Sequence, residues 1–267
     1  QFPYAGMTTH KTAEWMISQK GTDKHIWHYE GNPSQNAFGR YSSAGYMEIL
    51  NSTHPEPRVY SGLSWDGYNW SHRPGTTVHY MTTEEIYAEA NNDRSTNSKD
   101  FLVNGVFGES GVFAMDYEDY NSEDGMSVKK STYFFDDYAL VLTNNIDNVD
   151  GEHEIHSTFF QTYMMDNMVY SHVEEDSVNG VAYFWGTDES GIVLTDGVNN
   201  AYYVKETSGD SLFVTRSHQN SVAPNGSSLT AGDYVQAWVN HGVNPESSTA
   251  LVYTIQINGG IDGAKYM

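Results

Sequence analysis

The sequence predicts an all-β protein built from many antiparallel strands. Strand-forming segments recur through most of the chain, Gly, Asn and Asp turn signals separate them, and helix formers are concentrated in two short stretches. This spacing is typical of a sandwich or a barrel. The 267 residues contain no internal repeat or low-complexity linker, so we expect a single domain over residues 1–267.

The strand prediction depends on eleven segments rich in β-branched and aromatic residues. Each is short and bounded by turn-forming residues, as expected for strands joined by tight connections. We expect strands at 101–106, 111–117, 131–135, 139–143, 156–163, 181–185, 191–195, 201–205, 211–217, 234–241 and 250–257.

Two stretches, 12–20 and 82–90, are rich in helix formers. The second begins with Thr82-x-x-Glu85, the pattern of a capping box, in which each side chain satisfies a backbone amide at the start of a helix. We therefore expect one or two short helices.

The charge of the chain is strongly negative and unevenly placed. Thirteen Lys and Arg residues against 35 Asp and Glu residues give a net charge of −22, which disfavours nucleic acid and anionic membranes as partners. Residues 1–73 hold equal numbers of basic and acidic residues, so the excess lies in 74–267. An acidic polymer would be repelled least by the N-terminal quarter. Alternatively, the acidic residues only solvate outward-facing strands.

The lack of Cys and of a long apolar segment excludes further classes of protein. The chain has no Cys, which excludes disulfide scaffolds, Cys-ligated zinc and thiol nucleophiles. It has no run of 18 apolar residues, so we expect no membrane span. Because the sequence begins with Gln1, we expect a processed or excised polypeptide of secreted origin, extracellular or periplasmic.

The segment 65–78, WDGYNWSHRPGTTV, is the most informative part of the sequence. Arg73-Pro74-Gly75 predicts a turn, because Pro presets φ and Gly permits positive φ. Flat aromatic faces beside an Arg suit a sugar ring that carries a carboxylate or sulfate. The alternative is a buried aromatic corner in which Arg73 donates to backbone carbonyls. The candidate binding residues here are Trp65, Tyr68, Trp70, His72 and Arg73.

The same segment resembles the Trp…Asn/Asp-Trp-x-Arg-x-Pro-Gly-Thr-Thr signature of polysaccharide lyase family 8, the chondroitin, hyaluronate and xanthan lyases. Four further stretches in the family's order support the resemblance. They are 28–41, with Gln35-Asn36 at the family's Glu-Asn loop and Gly39-Arg40-Tyr41 at the end; GVFAM at 111–115; KKSTYFFDD at 129–137; and AWVNHG at 237–242.

The resemblance implies a large antiparallel β-supersandwich of the galactose-mutarotase-like type. Family members place an α/α toroid before this domain and a smaller sandwich after it, and neither is expected within these 267 residues. The resemblance therefore implies one wall of the substrate cleft of an extracellular carbon–oxygen lyase for uronate-containing polysaccharides. We expect no activity without a toroid partner.

Eliminating across a uronate needs a base, a group that neutralises the carboxylate, and an acid for the leaving oxygen. In the family these are carried mainly by the toroid, so we expect the catalytic base and acid outside this chain. Carried over position by position, the family's Glu-Asn loop and Arg-Pro-Gly segment become Gln35, Asn36 and Arg73 on the cleft wall, and Arg40 is a further candidate for substrate binding. Gln35 replaces the usual Glu, and a neutral amide can neither orient a His by charge nor accept a proton.

Two other functions remain open. His25, His28, Tyr29, Tyr68 and His72 include the residue types for a proton-transfer centre within the chain, although structural roles are the default for them. The second alternative is a non-catalytic carbohydrate-binding or self-assembling extracellular β protein, its copies bridged by Ca²⁺ or paired at exposed strand edges.

No cofactor is expected to be required, and Ca²⁺ is the most plausible ion. Acidic residues cluster at 116–124 and 147–152, and carboxylate oxygens are ligands that Ca²⁺ prefers. Neither cluster fits an EF-hand, and a solvated hairpin tip is the alternative for both. The candidate metal ligands are Asp147, Asp150 and Glu152. No Ser-His-Asp spacing signal for a nucleophile is present.

Overall fold

The structure is a computed structural model. It describes residues 1–51, 63–90, 94–119, 125–149, 151–164, 181–184, 192–206, 210–246 and 249–259. Within these ranges the chain forms an all-β fold, as predicted. No helix in the described part is long and apolar enough to cross a membrane.

The strands follow one another along almost the whole described chain. They are β1 Met7–Lys11, β2 Trp15–Lys20, β3 Trp27–Glu30, β4 Tyr46–Asn51, β5 Thr77–His79, β6 Arg94–Thr96, β7 Leu102–Phe107, β8 Ser110–Glu118, β9 Met126–Phe134, β10 Tyr138–Asn148, β11 Ile155–Tyr163, β12 Val181–Phe184, β13 Ile192–Thr195, β14 Ala201–Glu206, β15 Ser211–Val222, β16 Leu229–Asn240 and β17 Ala250–Gln256. Each of the eleven predicted strands overlaps one of β7 to β17.

Two large antiparallel sheets dominate the fold. The first has the order β13-β14-β17-β10-β9-β8-β7 and the second β12-β15-β16-β11-β5. A three-stranded sheet, β1-β2-β4, and the pair β3-β6 complete the described sheets. The hydrophobic core forms one cluster with contributions from both large sheets, including Phe113 and Val141 from the first and Phe160 and Val235 from the second. This is the large antiparallel β-supersandwich that the family resemblance implies.

One of the two predicted helices is confirmed. Helix α1 spans Thr83–Ala88, and the Thr82–Glu85 capping box is formed. The Glu85 amide donates to Thr82 Oγ1 at 3.3 Å, and the Thr82 amide donates to Glu85 Oε2 at 2.6 Å. Both side chains therefore satisfy helix N-terminal donors, as the motif predicts.

The predicted helix at 12–20 is wrong. Residues 15–20 form β2, which pairs with β1 on one side and β4 on the other. Burial alternates along β2, with Trp15, Ile17 and Gln19 buried between half-buried neighbours. This period of two fits a strand, and the sheet environment overrides the helix propensity of the individual residues.

Candidate functional site

The segment that carries the signature motif lies across one end of the five-stranded sheet. The ideal Cβ of Gly232 on β16 would lie only 2.3 Å from the carbonyl oxygen of Asp66, so the chain crosses the strand where a side chain is missing. Gln161 of β11 fixes the next turn, because its amide accepts from the Asn69 amide at 2.8 Å and donates to the carbonyls of Asn69 and His72, both at 2.9 Å.

The predicted turn at Arg73-Pro74-Gly75 is present. The Thr76 amide donates to the Arg73 carbonyl at 3.2 Å, and Gly75 has φ of +77°. A Cβ on Gly75 would lie 2.7 Å from Cβ of Met47, so the position needs Gly for both conformation and space.

Four aromatic side chains form a continuous stack at this end of the molecule. Trp65 stacks on Trp70 with ring centroids 5.4 Å apart, Trp70 stacks on Phe38 at 4.9 Å, and Phe38 contacts Tyr87 of α1 at 6.1 Å. The inner two rings are buried, whereas Trp65 is 44% and Tyr87 43% exposed. This aromatic stack therefore presents two flat, half-exposed rings to an external ligand.

Gln35 and Asn36 lie in an exposed turn next to the aromatic stack. The amides of both residues donate to the Asn32 carbonyl, at 3.0 and 2.8 Å, and Asn36 Nδ2 donates to the Glu30 carbonyl at 3.0 Å. The following amide, of Ala37, donates to the Pro224 carbonyl at 2.9 Å and joins this turn to the β15–β16 connection. The turn thus has a fixed backbone and leads directly into Phe38 of the stack.

Arg73 is buried behind the stack. Its Nη2 donates to the Phe38 carbonyl at 2.7 Å, and the guanidinium lies over the rings of Trp70 and Tyr46, at 5.4 and 5.5 Å. Only 5% of the residue is exposed. This is the buried corner with a backbone hydrogen bond considered above, and it gives Arg73 a structural role in holding Phe38 and Trp70 together.

Arg40 is also buried, in an ion-pair network. Its guanidinium contacts Glu89 after α1 and both carboxylate oxygens of Asp119 at 3.2 Å, and His79 lies 3.4 Å from Asp119. Burial alone would raise the pKa of Asp119, but the adjacent Arg40 guanidinium lowers it well below its usual range. Arg40 therefore anchors the end of the Gln35–Arg40 segment against α1 and β8.

Tyr68 and His72 are buried and uncharged at neutral pH. Burial raises the pKa of Tyr68 to about 12. Burial, with His156 beside it, lowers the pKa of His72 to about 3. Gln236 Oε1 lies 2.5 Å from His72 Nδ1, and His156 Nδ1 lies 2.9 Å from His72 Nε2. His72 stands at the second position after Trp70, where the signature has Arg.

The structure does not bring the proposed proton-transfer set together. His28 of β3 is buried against Tyr29 and Tyr117, at 5.8 and 5.2 Å, and burial lowers its pKa to about 4. His25 is exposed. Among the ring contacts of the described residues, none joins His28 to His72.

A Ser-His-Asp arrangement that the sequence does not reveal is present inside the fold. His241 Nε2 lies 2.8 Å from Ser157 Oγ, and His241 Nδ1 lies 2.5 Å from Asp210 Oδ2. Ser157 is 2% exposed and also contacts Thr77 Oγ1 at 2.7 Å. A nucleophile must be accessible, so this cluster joins β5, β11 and the end of β16 as a structural network.

The calcium site stays a prediction. Asp147 and Glu152 are exposed, and Asp150 lies outside the described residues. In the other acidic run Asp119 is buried with Arg40, which contradicts a solvated tip at that residue, and residues 120–124 also lie outside the described ranges. No cluster of three or more metal-ligating His, Asp or Glu side chains occurs in the described part of the chain.

Tyr87 is the functional candidate that sequence reasoning missed. It follows the buried Ile86 on α1, and its ring packs against the β15–β16 connection, where a Cβ on Gly226 would lie 2.4 Å from it. An aromatic residue on a short, otherwise acidic helix was the available signal. Its position at the end of the aromatic stack is visible only in the folded structure.

Comparison with known protein families identifies one match over almost the whole chain. Residues 1–258 match the super-sandwich domain of polysaccharide lyase family 8. The chondroitin sulfate ABC exolyase of Proteus vulgaris is 24% identical over 272 residues, covering 95% of this chain and 26% of the exolyase. The chondroitin sulfate ABC endolyase of the same organism is 22% identical over 246 residues, covering 90% of this chain and 24% of the endolyase. The chain thus spans about a quarter of the length of these relatives.

Solved structures show the same fold. A Paenibacillus xanthan lyase superposes with a TM-score of 0.78 at 19% identity, covering 98% of this chain and 25% of that one. A chondroitinase AC lyase superposes with a TM-score of 0.75 at 20% identity, covering 98% and 37%. The family match over residues 1–258 shows that the chain belongs to polysaccharide lyase family 8, through its super-sandwich domain.

Proposed function

We propose that this domain forms one wall of the substrate cleft of an extracellular lyase that cleaves uronate-containing polysaccharides by β-elimination. The observation that carries the proposal is the aromatic stack, whose outer rings Trp65 and Tyr87 are half-exposed and whose Phe38 follows the exposed Gln35–Asn36 turn in the chain. Flat rings suit the apolar faces of sugar units, and side-chain amides suit their hydroxyl and acetamido groups. The curated relatives are named as chondroitin sulfate lyases.

The geometry supports binding by Trp65, Tyr87, Gln35 and Asn36, with Arg40, Tyr68, Trp70, His72 and Arg73 in supporting positions behind them. The exposed group has no cation among its members. Recognition of the uronate carboxylate is therefore expected from the facing half of the cleft. Residues 1–73, which hold three of the four exposed residues, have no net charge and so do not repel an acidic chain, whereas Tyr87 lies on a helix that carries Glu84 and Glu85.

Proton transfer is also expected from outside this domain. A general base must reach the proton that it removes and have a pKa near the working pH. Gln35 has no basic group, Tyr68 and His72 are buried, and their pKa values of about 12 and 3 place both far from neutral pH. An α/α toroid partner that supplies base and acid completes the proposal.

The experiment measures binding and elimination separately. Affinity electrophoresis of the 267-residue chain through gels containing chondroitin sulfate should retard it, while ultraviolet absorbance of the unsaturated product should stay flat. Product formation by the chain alone would contradict the proposal that a partner supplies the base and the acid. Unretarded migration at every polysaccharide concentration would contradict the proposal that this domain binds the polysaccharide as one wall of the cleft.

Self-assembly is the second candidate, and a specific observation favours it. Strand β7 is an edge of the seven-stranded sheet, and Val106 and Phe107 at its end are 67% and 90% exposed. An unpaired edge with exposed apolar residues is a template for pairing with another copy. Sedimentation velocity should then show concentration-dependent association that Phe107→Lys abolishes. A monomer at all concentrations, with and without Ca²⁺, would exclude this function.

A further inference from the structure

A groove of about 600 Å³ lies on the face of the five-stranded sheet that points away from the core. Its floor follows from strand alternation: on β15 and β16 the core-facing Leu212, Val214, Ala237 and Val239 alternate with residues that line the groove. One wall is the segment that crosses β16 at Gly232. Ser221 holds this wall by donating to the Tyr68 carbonyl at 2.6 Å.

The floor contains an aromatic platform, formed by two rings that stack in parallel, offset planes. Phe213 and Trp238 are cross-strand partners, and their rings are stacked with centroids 5.3 Å apart and 7° between planes. His72 packs on Trp238 from the wall at 4.5 Å, and Tyr80 lies 4.7 Å from His156. Hydrogen bonds that join His72 Nδ1 to Gln236 Oε1 and His72 Nε2 to His156 Nδ1 hold these rings in place.

Amide side chains surround the platform: Asn69, Gln219, Asn220, Gln236 and Asn240. Within the described residues, both polar atoms of Gln219 and the indole N–H of Trp238 lack a hydrogen-bond partner although they are buried. Buried polar groups without partners are rare in proteins and call for a compensating ligand or water. The half-buried Asn69 and Asn240 and the exposed Asn220 supply the donors and acceptors that open onto the groove, with the unpartnered groups of Gln219 and Trp238 just beneath its surface.

The groove carries almost no charge. No Lys or Arg lines it, and Glu154 at the rim is its one acidic lining residue among those described. Burial lowers the pKa values of His72 and His156 to about 3, so both rings are neutral under physiological conditions. Carboxylate and sulfate groups are normally bound by Arg or Lys, which makes this site unsuited to a uronate.

From these features we infer that the groove binds an uncharged saccharide unit, packed against the Phe213–Trp238 platform with its hydroxyls on the surrounding amides. Its volume lies within the ~300–1,000 Å³ typical of small-molecule sites. The Glu154 carboxylate accepts from hydroxyls at the rim. The site is chemically distinct from the cleft wall, which is proposed for an acidic polymer.

The test uses the whole 267-residue chain and neutral disaccharides: lactose, maltose, cellobiose and diacetylchitobiose. Glucuronic acid is the charged comparison. Saturation-transfer NMR should show binding of at least one neutral disaccharide at millimolar concentration, and none of glucuronic acid. Trp238→Phe, which keeps a flat ring and removes the N–H, and Gln219→Ala should each raise the dissociation constant about three- to tenfold.

Asn144→Ala is the matched control, because it removes an exposed amide on β10, outside both the groove and the cleft wall, and should leave disaccharide binding unchanged. Circular dichroism melting curves identify any variant that fails to fold. Asn220→Ala, at an exposed groove position, then replaces that variant and should weaken binding in the same way. Failure of all four neutral disaccharides to bind, or equal binding by wild type and the groove variants, overturns the inference. Neither result bears on retardation by chondroitin sulfate, so the two proposals fail separately.

Discussion

The buried Arg40–Asp119 pair gives a sharp prediction about what holds the candidate site in place. Arg40 is 4% and Asp119 1% exposed, and Nη2 of Arg40 lies 3.2 Å from both oxygens of Asp119. Removing one partner leaves a buried charge with fewer partners, which costs about 3–5 kcal/mol. Asp119→Ala should therefore lower the free energy of unfolding by about that amount in urea denaturation followed by tryptophan fluorescence.

Asp100→Ala is the matched control, since Asp100 pairs with Lys24 at 2.9 Å on the surface. Exposed pairs contribute little, so this variant should unfold like the wild type. Equal unfolding free energies for Asp119→Ala and Asp100→Ala would refute the structural role given to Arg40.

The pair also predicts how stability depends on pH. The pKa of Asp119 is lowered in the folded state, so its contribution is present above the unfolded pKa of roughly 3.9 and is lost as pH falls towards the folded value. The wild type should lose stability below about pH 4 more steeply than Asp119→Asn. Parallel pH profiles for the two proteins would show that Arg40 does not lower the pKa of Asp119.

Two further predictions concern other buried positions. Gly75→Ala should destabilise the fold by about 1–3 kcal/mol in thermal unfolding, since φ is +77° and the new Cβ would lie 2.7 Å from Met47. Gly108→Ala is the control, because φ is +60° but no atom lies within 4 Å of the new Cβ, and it should destabilise the fold less. A larger loss of stability in Gly108→Ala than in Gly75→Ala would contradict the tight packing at the Gly75 turn. Burial raises the pKa of Asp196 from 3.8 to about 6, so the folded protein retains a proton that the unfolded chain releases, and stability should fall by roughly 2–3 kcal/mol as pH rises from 4 through 6. Urea titrations should show that this fall is absent in Asp196→Asn, and its persistence would assign it to another group.

Strong local patterns explain why the second half of the fold could be predicted. Strands β7 to β17 are long or flanked by clear turn residues, and each was identified. Strands β1 to β6 were missed because several are very short, such as Thr77–His79, and because 12–20 contains good helix formers. The alternation along Trp15–Lys20 was the contrary signal, and pairing with two neighbouring strands decided the outcome.

Sequence motifs named the candidate site residues but not their exposure. The structure connects the Gln35–Asn36 turn to the signature segment through Phe38, whose ring stacks on Trp70. Which of their side chains are exposed depends on partners far away in sequence, such as Gln161, which is 92 residues from Asn69. Arg40 and Asp119 are 79 residues apart. No local pattern could therefore show that both motif arginines are buried.

The central claim is that the exposed end of the aromatic stack receives an acidic polysaccharide. Trp65→Ala tests it most directly, with Trp27→Ala of β3 as the control, because the two rings are exposed to nearly the same extent, 44% and 48%. In affinity electrophoresis with chondroitin sulfate, Trp65→Ala should weaken retardation about two- to tenfold and Trp27→Ala should leave it unchanged. Equal retardation of both variants and the wild type would contradict the claim.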